Sequence, residues 1–152
     1  MHVDFAFLCD YADANGKINA IGIGFDTLFA PSLPVQAAFH FVSQLRLSRP
    51  EGETLRLEFA LLDAEGQPVT PPLSVSGKAS DSPSDEGILR VVIGLHAVLP
   101  TYGTYAARLK ANEQEIVRIP FVARMLPARA ASQTADMPHR RTRAGRGRHR
   151  DS

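Results

Sequence analysis

Apolar residues recur at every second position along almost the whole of this chain, and that period admits one kind of element. Between Val35 and Ser48, the residues Val35, Ala37, Phe39, Phe41, Leu45 and Leu47 fall on one side, and Gln36, His40, Gln44 and Arg46 on the other. A strand turns successive side chains to opposite faces, so such a segment buries one face and wets the other. The pattern returns at Leu55, Leu57, Phe59 and Leu61, and at Leu89, Val91, Ile93, Leu95 and Leu99. It returns again at Tyr105, Ala107 and Leu109, and at Val117, Ile119 and Phe121. A 3.6-residue period persists nowhere, so no helix longer than about two turns is expected before Leu126.

Turn formers separate these runs. Asp13-Ala14-Asn15-Gly16, Arg49-Pro50-Glu51-Gly52, Asp63-Ala64-Glu65-Gly66, Pro100-Thr101-Tyr102-Gly103 and Asn112-Glu113 all carry residues that tolerate a tight reversal. Strand character from Lys17 to Phe29 is stopped by Ala30-Pro31-Ser32-Leu33-Pro34. Pro71-Pro72 weakens the run from Val69 to Ser76 and places it at a sheet edge, which argues against a closed barrel. Ser80 to Gly87 reads as a polar loop. The expected fold is therefore all-β: an antiparallel β-sandwich of about eight strands, Ig-like or jelly-roll-like, over residues 1–126. Val3, Phe5, Phe7 and Cys9 alternate and are expected to face the core together. Gly103-Thr104-Tyr105 is expected to place a tyrosine ring in the core with its hydroxyl tying down a nearby corner.

Charge is placed unevenly. Met1 to Pro127 holds 10 Lys and Arg against 14 Asp and Glu, whereas Ala128 to Ser152 holds 7 Arg against 2 Asp, so the total of +1 belongs to neither part. Residues 127–152 lack the apolar area to offset ordering and are expected to be a disordered, Arg-rich tail. The single cysteine, Cys9, forbids an intrachain disulfide and fits a cytoplasmic location. No apolar run reaches the ~20 residues of a membrane helix. Asp4 and the lack of an early basic cluster argue against a signal peptide.

Reactive groups do not assemble into a motif. No histidine is placed beside Cys9, so a structural thiol is expected there. Asp10, Asp13 and Asp26 lack calcium-loop spacing, and His2, His40 and His96 sit on separate strands. Ile21-Gly22-Ile23-Gly24 lacks the third glycine and the helix of a dinucleotide loop and reads as a bulge or a close approach. His40, Gln44, Arg46, Arg56, Arg90, His96, Arg108, Lys110 and Arg118 are expected on outward faces, with Glu58 among them. No catalytic, cofactor-binding or metal-binding residue is expected. The favoured reading is a non-enzymatic binding or structural module, with a protein partner or a second copy pairing at a sheet edge and no membrane. The alternative is weak, non-specific nucleic-acid association through Arg140, Arg141, Arg143, Arg146, Arg148 and Arg150. An enzyme is the third reading.

The opening LCDYA, NGKINAIG and FDTLFAPSLP, with LRLEFALLDAEGQPV and the PTYGTYAARLKANEQEIVRIPFVA ending, resembles a family of short bacterial proteins classed as a domain of unknown function. The resemblance covers roughly Met1 to Arg124. It implies a β-sandwich and brings no activity and no functional residues.

Overall fold

The computed structural model describes residues 1–48, 55–76 and 86–127. The expected turn at Arg49 to Gly52, most of the polar loop and the Arg-rich tail with its six clustered arginines lie outside the described residues.

The alternating segments become strands: β1 (His2–Cys9), β2 (Tyr11–Asn15), β3 (Lys17–Ile21), β4 (Thr27–Ala30), β5 (Val35–Ser48), β6 (Arg56–Leu62), β7 (Leu73–Ser76), β8 (Glu86–Leu99), β9 (Gly103–Ala111) and β10 (Gln114–Met125). They form a three-stranded sheet in the order β1-β5-β8, a five-stranded sheet β4-β10-β9-β6-β7, and a separate β2-β3 hairpin. No helix occurs among the described residues. Among the described residues every ladder is antiparallel except β4 along β10, which is parallel. Asn112 and Glu113 both take positive φ, 46° and 70°, and make the tight β9–β10 turn expected of them.

The two larger sheets pack face to face, and aromatic rings join them. Phe41 of β5 meets Phe59 of β6 at 5.0 Å between centroids. Phe39 of β5 meets Phe121 of β10 at 5.5 Å. Tyr105 stacks on Phe121 at 5.8 Å. All of these rings are buried. Phe25, Phe39, Phe41, Phe59 and Phe121 suit this layer, because a phenyl ring brings no polar atom needing a partner.

The Tyr105 corner is present. Its hydroxyl donates to the Thr101 carbonyl at 2.8 Å. Tyr105→Phe keeps the ring and strands that carbonyl, so it is expected to lower stability by about 0.5–1.5 kcal/mol in chemical denaturation. A midpoint equal to the parent's would leave the ring alone to account for the position.

Two expectations are corrected. The alternation of Val3, Phe5, Phe7 and Cys9 is broken by a register shift between Val3 and Phe5. Val3, Ala6 and Leu8 therefore pack on the sandwich core, while Cys9, with Phe7 against it, belongs to a second cluster on the outer side of the same sheet. The Lys17 to Phe29 strand is two strands, β3 and β4, in different sheets. Between them Gly22 and Gly24 take φ of +69° and +82°, so Ile21 to Gly24 is a turn and not a bulge within a strand. The expected Asp13 to Gly16 turn is present and closes the β2-β3 hairpin at Gly16, while β1 pairs with β5.

Candidate functional site

The β2-β3 hairpin forms a third layer on the outer face of the three-stranded sheet. Ala12, Ile18 and Ala20 of the hairpin close over Cys9, Phe7, Val42 and Val92. A polar chain runs beside them. Arg46 Nε donates to Asp4 at 2.8 Å, and Gln44 Nε2 donates to the same carboxylate at 2.8 Å. Arg90 Nε donates to Gln44 at 3.2 Å, and its guanidinium reaches the Gly16 carbonyl at 3.4 Å. The bonds from Gln44 and Arg46 hold the Asp4 carboxyl below its ordinary value. This contribution is present above the ordinary aspartate range and is lost as pH falls through the depressed value.

No sequence motif places a histidine beside Cys9, but strand adjacency does: Cys9 lies opposite His40 in the β1–β5 ladder. Their geometry is structural. The Cys9 thiol donates to the Tyr11 carbonyl at 3.4 Å, and burial followed by the neighbouring Asp10 charge pushes its pKa up. His40 Nδ1 lies 3.3 Å from the Asp10 carbonyl, which can only accept, so that nitrogen carries the proton. Tyr11 sets its ring edge-on to His40 at 5.2 Å. A fully buried, protonated thiol is a poor nucleophile. A thiol reagent is expected to label native Cys9 only as fast as the hairpin opens. Labelling as rapid as in denaturant would contradict that.

The acidic residues are also engaged. Asp13 accepts from Asn19 at 3.0 Å, Asp26 accepts from Thr27 at 3.0 Å, and Asp63 Oδ1 caps its turn through the Glu65 and Gln67 amides. No group of three or more metal-ligating side chains occurs among the described residues.

The predicted outward residues divide between two faces. His40, Gln44, Arg46, Arg90 and His96 lie on the outer face of the three-stranded sheet, following the phase of β5 and β8. Arg56, Glu58, Arg108, Lys110 and Arg118 lie on the outer face of the five-stranded sheet. There Arg108 pairs with Glu58 at 3.2 Å, and Lys110 stands 3.8 Å from the same carboxylate. Arg118 donates two bonds of 2.8 Å to Glu115 and holds that carboxyl below its usual range.

A further feature comes from the unequal widths of the sheets. β1 lies against β10. Elsewhere in the sandwich one cleft is lined by both β7, which ends the five-stranded sheet, and β8, which ends the three-stranded one. Leu73 and Val75 of β7 pair with Phe59 and Leu57 and share their inner face. Phe59 and Leu57 are buried, but Leu73 and Val75 are 45% and 50% exposed. Between β7 and β8 lies a cleft of about 150 Å³, floored by Leu57, Phe59 and Leu109 and walled by Leu73, Val75 and the stretch from Leu89 to Ile93. Arg90 and Val92 point to the opposite face of β8, so their place in this wall is that of the strand's main chain.

This architecture defines a two-layer β-sandwich with an added hairpin and one open seam. The chain belongs to the family of unknown function DUF6941, which matches residues 4–124. No curated protein matches the chain. Among solved structures it is similar to the Pseudomonas fluorescens alkylpurine DNA glycosylase AlkC bound to DNA containing an abasic site analog. That likeness has 10% identity, a TM-score of 0.42, and covers 65% of this chain and 28% of the other.

Proposed function

We propose that the protein is a non-enzymatic binding module whose binding surface is the open seam between β7 and β8. The cleft carries this reading. Leu73 and Val75 occupy inner-face positions, which the rest of the sheet buries, and remain half exposed. Covering them gains roughly 25 cal/mol per Å². The reactive side chains support the same reading, because Cys9 and the aspartates serve the fold. An apolar cleft of about 150 Å³ has room for a molecule of benzene's size. Benzene is therefore expected to raise the melting temperature of the full-length protein, since a ligand that binds only the folded state stabilises it. Val75→Asp, at an exposed edge position, is expected to abolish the rise. An unchanged melting temperature in the parent would sink the reading.

A second reading is nucleic-acid association through Arg140, Arg141, Arg143, Arg146, Arg148 and Arg150. One observation favours the tail: residues 128–152 hold 7 Arg against 2 Asp, whereas Arg108, Lys110 and Arg118 on the outer face of the five-stranded sheet are paired with Glu58 and Glu115. Single-stranded RNA binding should then fall with salt at about −0.7 per phosphate engaged and disappear without residues 128–152. Equal binding by the truncated protein would move the contact to the sheet face.

A further inference from the structure

We infer that His40 and His96 form a two-imidazole site for a divalent transition-metal ion on the outer face of the three-stranded sheet. The seam opens on the inner side of β8, so this site stands apart from the binding reading above. In the antiparallel β5–β8 ladder His40 lies opposite Gly94, and His96 lies opposite Ala38. The two histidines therefore occupy neighbouring rows of one face. The row on the other side of His40, Val42 and Val92, is covered by the β2-β3 hairpin. The rows toward His96 are not covered, and Ala38, Gly94 and His96 are exposed.

The tautomer of His40 suits a ligand. Its Nδ1 donates to the Asp10 carbonyl at 3.3 Å, which leaves Nε2 with a free lone pair. Metal-ligating histidines are commonly held in this way, through a bond from the other ring nitrogen to a backbone carbonyl. Its position suits one as well. Nε2 is the ring atom nearest to where a Cβ at Gly94 would stand, 3.3 Å away. The imidazole thus takes the room of the side chain that Gly94 lacks, two residues along β8 from His96. Positions i and i+2 of a strand share a face and stand about 7 Å apart. Two metal–nitrogen bonds of about 2.0–2.1 Å cover part of that span, and the His96 side chain reaches the rest. Neutral imidazoles suit zinc, copper or nickel, whereas calcium and magnesium take oxygen ligands. No group of three ligating side chains forms among the described residues, so the other positions on the ion belong to water.

Zinc is the probe, titrated into the full-length chain carrying His2→Gln, His139→Gln and His149→Gln, so that no other histidine competes. A single ion per chain is expected to bind in calorimetry. The ring signals of His40 and His96 should move together in NMR, with one midpoint. His96→Gln in the same background leaves His40 and its bond to Asp10 in place. It should weaken binding by about tenfold or more, because the second ligand of a chelate binds intramolecularly. Gly94→Ala keeps both histidines and sits in strand backbone that alanine adopts. Its methyl group would stand 3.3 Å from Nε2, crowd the place of the ion and weaken binding severalfold. Melting temperatures of the metal-free variants should stay close to the parent's, which separates a lost ligand from a lost fold. Absence of zinc binding, movement of one ring alone, or unchanged affinity in His96→Gln would overturn the inference. Unchanged affinity in Gly94→Ala would take the ion away from His40 Nε2 and overturn it too.

Discussion

Phe121→Ala is expected to destabilise the folded chain by about 3–5 kcal/mol, the range for removing a large aromatic side chain from a packed core. Total stability of a small domain is about 5–15 kcal/mol, so the loss would remove much of it. The position is unusual in its contacts. Phe121 lies against Phe39 of the opposite sheet at 5.5 Å, Tyr105 of its own sheet at 5.8 Å, and Phe25 of the β3–β4 connection at 6.3 Å. Truncation opens a cavity lined by rings from both sheets and from the β3–β4 connection. Phe121→Leu should recover most of the volume and lose the ring–ring term, about 0.5–1.5 kcal/mol. Urea denaturation of the parent and both variants checks this. A Phe121→Ala loss below about 1.5 kcal/mol would mean that the sheets are not joined through this ring.

Gly22→Ala is the second large effect, and Gly24→Ala is its control. Both glycines have left-handed φ, which adds about 1–2 kcal/mol for an alanine. At Gly24 a methyl group would meet nothing within 4 Å. At Gly22 it would run into the Asp10 carboxylate. Rotating the carboxylate does not clear the clash, because the methyl group also meets Asp10 Cβ at 3.0 Å, and the Asp10 backbone is held by its amide donating to Ile21 O at 3.0 Å. Gly24→Ala should therefore show the backbone term alone, and Gly22→Ala clearly more. In an Asp10→Ala background the excess at Gly22 should shrink, which a double-mutant cycle reads as coupling. Equal losses at the two glycines would show that Asp10 yields without cost.

Much of the fold was legible because burial on one face writes period two into a sequence. β5, β9 and β10 were readable for that reason, and Pro71-Pro72 marked β7 as an edge because proline cannot donate to a ladder. The phase of β1 was not legible. A bulge changes which residues face inward without changing their hydrophobicity, so Val3 and Phe7 look equivalent in sequence and lie on opposite faces. One signal of the third layer was present: Val42 and Val92 are apolar at positions where the alternation calls for polar ones, and the hairpin buries them. The pairing of Cys9 with His40 had no local signal, since 31 positions separate them and only the β1–β5 register brings them together. The seam was equally hidden. Leu73 and Val75 read only as part of an edge strand, and their exposure on the inner face depends on strand order, which the sequence does not write locally.

Xenon diffusion into crystals of the full-length protein tests the open seam most directly. Xenon occupies apolar cavities that exclude water and needs no hydrogen-bonding partner. The expected result is an anomalous peak between β7 and β8, in contact with Val75, Phe59 and Leu109, that disappears in Val75→Asp. No peak at that position, with Leu73 and Val75 covered by the protein's own chain, would contradict the seam as a binding surface.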